Sequence, residues 1–318
     1  MEFVTPKFWF KEPNFFQKFF LSPVEAIYEC AVDHNYKKEY ATKLARQKVI
    51  AIGGITAGGS GKTVATKAVA EFLSAAGVRV AILSRGFGRK SSETLRVHLH
   101  KHNFEDVGDE PIMLAKYFPV IVGKDRAKSA QLAGEDFDVF ILDDGLTQRY
   151  LQPDLKLIVI DAAQGFGNGH LLPLGPNRLN FNKIKSDIDA VIILGSMDFP
   201  VDFAPIFREE VHYEFPEIAQ PVVAFCGIGF PDKFFKTLDC YGHYDIVEKI
   251  IYPDHHTYKE GDLQELIFCA KKHGARLVTT EKDFVKIPAA FCEEVEIVRG
   301  NAKISEDLAK FFRDFLHC

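Results

Sequence analysis

The stretch that decides the fold is Thr56-Ala57-Gly58-Gly59-Ser60-Gly61-Lys62-Thr63. It lies between an apolar run, Val49–Ile52, and a helical pattern over Thr63–Ala76. In this setting the backbone N–H groups of a glycine-rich loop converge on phosphate oxygens, and the helix N-terminus adds partial positive charge. We expect Lys62 to reach the β- and γ-phosphates and the Thr63 hydroxyl to bind Mg²⁺. The alternative is a glycine-rich turn before an unrelated helix.

Short apolar runs alternate with helical patterns on the C-terminal side of this loop. Runs that are apolar throughout are typical of parallel strands covered on both faces. Strands that alternate with helices predict an α/β fold of the P-loop NTPase type, with a doubly wound, mostly parallel sheet. The predicted strands are Val49–Ile52, Val80–Leu83, Val120–Val122, Val139–Leu142, Leu157–Ile160 and Val191–Leu194, and the predicted helices are Thr63–Ala76, Glu110–Tyr117 and Arg126–Leu132.

A second, smaller α/β lobe is predicted after an irregular, proline-containing connection over Phe199–Pro221. Its predicted strands are Val222–Cys226, Ile246–Ile251, Leu277–Thr280 and Val295–Val298, with a helix at Ser305–Phe315. The predicted division is an N-terminal segment over residues 1–46, a P-loop lobe over 47–216 and a C-terminal lobe over 217–318.

Composition excludes several classes of protein. The net charge of −5 argues against an electrostatic nucleic-acid binder. The six cysteines form no Cys-x-x-Cys pair, which argues against a zinc site and a disulfide framework. No signal-peptide pattern is present, and no segment approaches the ~18 apolar residues of a membrane span. We therefore expect a cytosolic protein, with attachment to a membrane surface left open.

Acidic residues mark a second functional candidate. Asp143 and Asp144 end an apolar strand, and ligands of doubly wound sheets collect at such strand ends, so we expect both near the P-loop. Asp109 and Glu110 open another helix, where a helix cap is the simpler interpretation. The Asp254-His255-His256 stretch is a poor chelating pair because adjacent histidines face opposite sides of a strand, and His255 is a better candidate for acid–base chemistry.

Two further segments have a distinctive composition. Ser84–Lys90 places Arg85 and two other cations among glycines, which suits a phosphate-bearing substrate or a solvated loop. The N-terminus interleaves aromatic residues with lysines. That pattern fits a segment lying in a membrane interface, or a helix packed on the protein's own core. The aromatic residues concerned are Phe8, Trp9, Phe10, Phe15, Phe16, Phe19 and Phe20.

Taken in order along nearly the whole chain, these motifs resemble one family, the tetraacyldisaccharide 4′-kinases that act in lipid A biosynthesis. Thr56, at a P-loop position that is commonly glycine, is itself characteristic of that family. The motifs that carry the resemblance are Phe8-Trp9, the loop over residues 56–63, Leu83–Arg89, Gly108–Pro111, Leu142–Gly145, Leu171–Pro176, Gly227–Pro231, Asp254–His256 and Thr280–Asp283.

The resemblance implies two lobes with the active site between them, ATP and Mg²⁺ as cofactors, and a tetraacylated glucosamine disaccharide 1-phosphate as the substrate that becomes lipid IVA. It implies that Asp109 takes the proton from the sugar hydroxyl, with His255 as its partner from the other lobe and Lys62 on the phosphates. The residues implied around Mg²⁺ are Thr63, Asp143, Asp144 and Glu110.

The resemblance also implies contacts to the lipid. Arg126 matches a position that touches the headgroup. Gln148 stands near the headgroup where the family usually has histidine, and Arg178 is kept in an otherwise altered stretch. Together with Arg85, these residues are the predicted substrate contacts. The aromatic N-terminus would anchor the protein to the cytoplasmic face of the inner membrane as a peripheral protein, without a nucleic-acid or evident protein partner.

Two other classes of P-loop protein remain as alternatives. A GTPase-type switch or metallochaperone needs a guanine-reading Asn/Thr-Lys-x-Asp motif, and the adjacent Lys282 and Asp283 break that spacing. A soluble small-molecule kinase of similar architecture would not explain the phenylalanine-rich N-terminus.

Overall fold

The larger lobe is built on an eight-stranded sheet with the P-loop strand near its centre. The computed structural model describes residues 5–203 and 205–317. The strand order is β3-β4-β2-β5-β1-β6-β7-β8, and every pairing is parallel except that of β3 with β4. The strands are β1 (Lys48–Gly54), β2 (Val80–Ser84), β3 (Leu95–Arg96), β4 (Val120–Val122), β5 (Val139–Asp143), β6 (Leu155–Asp161), β7 (Ala190–Leu194) and β8 (Ile206–Glu209).

Both faces of this sheet are covered, as its apolar strands predict. Successive residues of β1 alternate between two cores: Ile50 belongs to one and Val49 to the other. The core containing Ile50 is completed by α2 and α10, and the other by α5 and α6. The helices of this lobe are α1 (Phe15–Tyr36), α2 (Lys62–Ala75), α3 (Phe104–Val107), α4 (Asp109–Leu114), α5 (Arg126–Ala133), α6 (Phe181–Ile184) and α10 (Glu306–His317), with 3₁₀ turns at Lys7–Phe10 and Lys185–Asp187.

The smaller lobe contains a five-stranded sheet in the order β11-β10-β12-β13-β9, parallel except for the pairing of β9 with β13. Its strands are β9 (Val211–Glu214), β10 (Val222–Cys226), β11 (Ile246–Ile251), β12 (Arg276–Thr280) and β13 (Val295–Ala302). Its helices are α7 (Pro231–Thr237), α8 (Glu260–His273) and α9 (Glu281–Phe284), with a π-helical turn at Leu238–Gly242 and a 3₁₀ turn at Ala289–Glu294.

The predicted boundary after residue 216 does not separate the two sheets. The connection predicted as irregular contains β8, which completes the larger sheet, and β9, which joins the smaller one. Helix α10 crosses back and buries Leu308 and Phe312 in the core of the larger lobe. The chain therefore passes between the lobes twice, because the apolar side chains of α10 complete a core distant in sequence.

Helix α1 is fastened to the larger lobe through polar contacts. Glu25 accepts a hydrogen bond from the Leu171 N–H at 2.7 Å, and the Tyr28 hydroxyl donates to the Arg178 carbonyl at 3.2 Å. No residue of this helix is fully buried. Within residues 5–203 and 205–317, none of the helices combines the length and apolar character needed to cross a bilayer.

The structure corrects one residue of the predicted membrane segment and separates the others into two groups. Trp9 is only 2% exposed, and its indole N–H donates to the Pro173 carbonyl at 3.0 Å, so it belongs to the protein interior. Its neighbours Phe8 and Phe10 are half-buried. The phenylalanines of α1 are exposed, namely Phe15, Phe16, Phe19 and Phe20. Residues 1–4 of the predicted segment lie outside the described residues.

We expect Phe312→Ala to lower the free energy of unfolding by about 3–5 kcal/mol, because it removes a fully buried ring that packs 6.0 Å from the ring of Phe72. Chemical denaturation would measure the loss. Phe268→Ala is the matched control because its ring is 73% exposed on α8, and it should change the same quantity by less than about 0.5 kcal/mol. Equal effects of the two substitutions would contradict the docking of α10.

Candidate active site

The phosphate loop lies between the end of β1 and the start of α2, as its sequence predicts. Gly61 has a φ of 77° where the helix begins, and Gly59 has a φ of 63°, so a residue with a side chain would be strained at either position. The Lys62 ammonium donates to the Ser60 hydroxyl at 3.1 Å. Burial lowers the pKa of Lys62, against the pull of the nearby Asp144 carboxylate. The loop therefore holds its lysine close to the backbone that would surround a phosphate.

Residues far along the chain hold this loop in place, and the sequence motifs give them no role. The Gln164 side chain donates to the Gly58 carbonyl at 3.2 Å, and its carbonyl oxygen lies 3.3 Å from the Thr56 hydroxyl. The Ala57 N–H donates to the Pro176 carbonyl at 2.8 Å. Thr56 is thus a buried, hydrogen-bonded part of the loop, which explains how a threonine fits at this position.

Asp143 ends β5 next to the phosphate loop, because β5 pairs with β1 in a register that places Ile52 opposite Asp143. Its carboxylate is 1% exposed and accepts long hydrogen bonds from the hydroxyls of Thr66 at 3.3 Å and Ser84 at 3.4 Å. Burial and the nearby Glu110 and Asp144 carboxylates raise the pKa of Asp143. Negative charge therefore converges here in excess, and hard oxygen donors of this kind fit Mg²⁺.

Asp144 and Arg178 were predicted to contact metal and substrate, and the structure pairs them with each other. The guanidinium of Arg178 binds the Asp144 carboxylate in a bidentate manner, at 2.8 and 2.6 Å, and also donates to the Gly54 carbonyl at 3.1 Å. Burial alone would raise the pKa of Asp144, but Arg178 and Lys62 outweigh it and hold the pKa below its usual range. Asp143, which has no such partner among the described residues, is the carboxylate that most needs a cation.

Asp109 and His255 meet across the cleft between the lobes, as the family resemblance implies. Asp109 begins α4 and is 5% exposed, while His255 lies in the loop after β11. The His255 Nδ1 atom is 2.7 Å from Asp109 Oδ2, and the other carboxylate oxygen accepts the Glu110 N–H at 2.9 Å. Burial alone would raise the pKa of Asp109, but Lys282 and the hydrogen bond from His255 lower it. Asp109 is therefore more than a helix cap.

Sequence reasoning quoted Lys282 and Asp254 within motifs but gave neither a role. The Lys282 ammonium lies 3.3 Å from Glu110 and 3.9 Å from Asp109 in the larger lobe, and 3.8 Å from Asp254 in its own. The strand-end rule was available for both residues, since Asp254 and Lys282 follow the carboxyl ends of β11 and β12. The rule holds for the smaller sheet as it does for the larger one.

The cleft contains a cavity of about 230 Å³ that both lobes line. A second contact spans it, where the Lys233 ammonium on α7 pairs with the buried Asp161 carboxylate at the end of β6. The lining combines the phosphate loop with apolar and basic side chains: Gly59–Thr63, Val64, Lys67, Glu110 and Met113 from the larger lobe, and Tyr213, Ile228, Gly229, Lys233, Phe234, Thr237, Thr280, Glu281, Lys282, Val298 and Gly300 from the smaller one.

The other predicted substrate-binding residues differ in their exposure and in the hydrogen bonds they already make. Arg85 is exposed on the loop after β2. Arg126 is 2% exposed and donates to the Gly123 carbonyl at 2.5 Å, while its buried Nε has no partner among the described residues. Gln148 is occupied by its own turn: its amide donates to the Leu151 carbonyl at 2.6 Å, and its oxygen accepts two backbone N–H groups. This geometry does not support a substrate contact by Gln148, which stays a prediction.

A phosphate loop, converging carboxylates and an Asp–His pair facing each other across an interlobe cleft define a P-loop phosphotransferase. Comparison with known proteins identifies the family. The family described as LpxK, tetraacyldisaccharide-1-P 4′-kinase, matches residues 17–317, and the chain belongs to it. The predicted family, fold class and enzyme class, a phosphotransferase with an alcohol acceptor, are confirmed.

Individual relatives agree with this assignment. The tetraacyldisaccharide 4′-kinase of Hyphomonas neptunium is 38% identical over 84% of this chain and 82% of its own length. That of Rhodospirillum rubrum is 35% identical over 96% and 95%. The crystal structure of LpxK from Aquifex aeolicus in complex with ATP has a TM-score of 0.73 and 29% identity, covering 93% of this chain and 98% of that one. These relatives favour the kinase over a GTPase-type switch or a soluble small-molecule kinase.

We expect Asp109→Asn to lower kcat by about 10²-fold or more with little change in the KM for ATP, because the amide cannot accept the proton of an attacking hydroxyl. His255→Ala should cost less, and the double variant should lose much less than the product of the two factors, since paired residues act as a unit. Steady-state phosphate transfer would measure all three.

Asp198→Asn is the control, because that carboxylate is exposed and its ion-pair partner is Arg208, which does not line the cleft. Independent, multiplicative losses in Asp109→Asn and His255→Ala would contradict a shared role.

Proposed function

We propose that this chain transfers the γ-phosphate of ATP to the 4′-hydroxyl of a tetraacyldisaccharide 1-phosphate, giving lipid IVA in lipid A biosynthesis. The observation that carries the proposal is the pairing of Asp109 with His255 at 2.7 Å. The pair lies beside Glu110 and Lys282, which line the same cavity as the phosphate loop. A base on one side and a phosphate cradle on the other are what transfer to a hydroxyl requires.

The proton of the sugar hydroxyl goes to the Asp109 carboxylate as the new phosphorus–oxygen bond forms and the bond between the γ-phosphorus and ADP breaks. Its low pKa makes Asp109 a weak base at rest, so the proton moves only as the hydroxyl oxygen donates an electron pair to phosphorus and the O–H group becomes more acidic. His255 orients the Asp109 carboxylate through its 2.7 Å contact with Oδ2. The loop N–H groups and Lys62 stabilise the negative charge of the phosphates throughout the transfer.

The carboxylates next to the loop fit a magnesium ion. Asp143 and Thr63 would hold it, with Glu110 beside them and Asp144 acting through its pair with Arg178. Support comes from the excess of negative charge that raises the pKa of Asp143. When bound, Mg²⁺ neutralises charge on the phosphate oxygens.

We expect Lys62→Ala to lower the rate of phosphate transfer from ATP to the disaccharide lipid by about 10²-fold or more, because the variant loses the cation that stabilises the phosphates. Radiolabelled phosphate transfer would measure the loss, and circular dichroism would confirm the fold. Lys310→Ala, which removes an exposed lysine on α10, is the control and should keep wild-type activity. Activity of Lys62→Ala within tenfold of that control would contradict the assignment of Lys62 to the phosphate site.

The protein attaches to the inner membrane as a peripheral protein through α1. One side of α1 is held by Glu25, Tyr28 and neighbouring polar residues, while its apolar side chains remain exposed. A helix with one apolar face is the form that lies in a membrane interface. The exposed set is Phe15, Phe16, Phe19, Phe20, Val24 and Ile27, with Phe15 the most exposed at 75%.

The same helix also lines a cavity of about 530 Å³ against the larger lobe. Its walls include Ile55, next to the phosphate loop, together with Phe166, Leu171 and Phe181. This cavity connects the membrane-facing helix with the neighbourhood of the active site, and it offers apolar surface for part of an acyl chain. Arg126, with its unpartnered Nε, and Arg85 supply cations for the headgroup phosphate.

We expect the double substitution Phe16→Ser and Phe20→Ser to reduce binding to anionic phospholipid vesicles and to raise the KM for the lipid, while the KM for ATP stays unchanged. The physical reason is that two large exposed rings no longer enter the interface. Vesicle flotation would measure binding. Phe268→Ser, at an equally exposed ring on α8, is the matched control. Equal flotation of both variants and the wild type would contradict attachment through α1.

A further inference from the structure

We propose that residues 5–10, the segment before α1, form an interlobe strap that holds the smaller lobe against the phosphate loop and so positions the nucleotide site. The aromatic pattern of the sequence predicts a membrane contact for Phe8, Trp9 and Phe10 of this segment. The proposal rests on the proposed function insofar as the phosphate loop binds ATP. It assigns the strap to the binding of the nucleotide rather than to the binding of the lipid.

The strap is fastened to the larger lobe through its 3₁₀ turn, Lys7–Phe10. Trp9 is buried there, and its indole N–H donates to the Pro173 carbonyl at 3.0 Å. The Trp9 carbonyl accepts the backbone N–H of Asn168 at 2.7 Å. The same stretch of the larger lobe supplies the Pro176 carbonyl, which accepts an N–H group of the phosphate loop at 2.8 Å. The strap and the loop are therefore held by one segment of the larger lobe.

The two ends of the strap contact the smaller lobe. The Thr5 hydroxyl donates to the Gly229 carbonyl at 2.6 Å. The ring of Phe10 lies 5.3 Å from the ring of Phe230, at an interplanar angle of 37°. Gly229 and Phe230 belong to the turn between β10 and α7. A short segment that is fixed on the larger lobe thus holds one particular turn of the smaller lobe.

That turn packs directly on the phosphate loop. The backbones of Gly58 and Gly229 are so close that a Cβ atom at Gly229 would lie 2.9 Å from the Cα atom of Gly58. A Cβ atom at Gly59 would lie 2.9 Å from the Cβ atom of Phe230. The two residues that the strap holds are therefore the residues that touch the loop expected to surround the phosphates.

The turn also leads into the helix that lines the nucleotide cavity. Phe230 directly precedes α7, which carries Lys233 and Phe234 on the wall of that cavity. A contact between two glycines buries no side chain and adds little apolar burial, so the position of the turn depends on its other contacts. The apparent affinity for a nucleotide falls with the fraction of molecules in which the binding-competent arrangement is formed. Loss of the strap should therefore weaken nucleotide binding.

The strap and α1 have different surroundings although they are neighbours in sequence. Pro13, between them, is buried, and Asn14 accepts the backbone N–H of Gln17 at 2.9 Å, which fixes the start of α1. Phe16 on α1 is 71% exposed, whereas Phe10 is half-buried against the smaller lobe. Substitutions in the two segments should therefore affect different ligands.

The first test is calorimetric titration of the full-length chain with ATP and Mg²⁺, without lipid. We expect Phe10→Ala to raise the Kd for ATP by about fivefold, because the lost ring pair weakens the contact between the lobes. Phe10→Tyr keeps the ring and should retain the wild-type Kd. In phosphate transfer, Phe10→Ala should lower kcat/KM for ATP much more than kcat, since the groups that act on the phosphates are unchanged.

Vesicle flotation separates the strap from α1. Phe10→Ala should float with anionic vesicles as the wild type does. The double substitution Phe16→Ser and Phe20→Ser should float less and keep the wild-type Kd for ATP. A wild-type Kd for ATP in Phe10→Ala would overturn the proposal, whether or not flotation changes.

Hydrogen exchange measures the contact between the lobes without nucleotide. We expect faster amide exchange over residues 227–230 and over the phosphate loop in Phe10→Ala and in Thr5→Val. Thr5→Val removes one hydrogen bond and tests the strap even where Phe10→Ala fails to fold, and Thr5→Ser keeps the hydroxyl as its matched control. Unchanged exchange in the folded variants would overturn the proposal. A wild type that binds no ATP would contradict the proposed function, and the exchange rates would still decide whether the strap holds the lobes.

Discussion

The parallel pairing of β1 with β5 and β6 is the constraint on which the rest of the structure depends. Because parallel strands end at the same edge of a sheet, this pairing brings the phosphate loop, Asp143 and Asp161 together although they lie far apart in sequence. The fully buried positions of β1 leave little freedom to shift the register, since a slip of one residue would turn its side chains to the opposite core. The geometry of the phosphate site is thus a consequence of core packing.

The smaller lobe contributes charged as well as apolar side chains to the site. Larger-lobe carboxylates at the cleft would be costly to bury alone, and the smaller lobe supplies Lys282 opposite Asp109 and Glu110, and Lys233 opposite Asp161. The raised pKa of Lys282 reflects the same arrangement: burial alone would lower it, and the surrounding carboxylates reverse the effect. Binding of a nucleotide, a polyanion, adds negative charge to a cleft whose lysines are already in place.

Helix α1 shows how one element serves two surfaces. Its polar side chains meet the larger lobe through hydrogen bonds and ion pairs, such as that of Asp33 with Lys183 at 2.6 Å. Its four phenylalanines are largely exposed. A contiguous exposed apolar face of this kind is uncommon on soluble proteins and is characteristic of surfaces that meet a membrane or a partner. The acceptor is a lipid in the proposed function, and the proposed attachment through α1 would bring enzyme and substrate to the same interface.

The central strands, the phosphate loop and the family could be predicted from the amino-acid sequence by itself, because these depend on local signals. Buried strands appear in the sequence as apolar runs, and the glycines of the phosphate loop precede Lys62 at a characteristic spacing. The edge strands β3, β8 and β9 were not predicted, since short strands at sheet edges lack the continuous apolar pattern of central ones. Asp143 could be placed near the loop by a topological rule alone. The contact of Asp109 with His255 came from resemblance rather than from pattern.

Only the tertiary structure decided which charged residues pair with one another. Asp143 and Asp144 are adjacent in sequence and equivalent in type, yet Arg178, 34 positions after Asp144, pairs with Asp144 and not with Asp143. Trp9 is next to half-buried phenylalanines and could have faced lipid, but a distant carbonyl, that of Pro173, accepts its indole proton. Lys282 lies beside Asp109 and Glu110 only because the two lobes meet. In each case the partner is distant along the chain, and such contacts depend on how the chain packs rather than on residue type or local spacing.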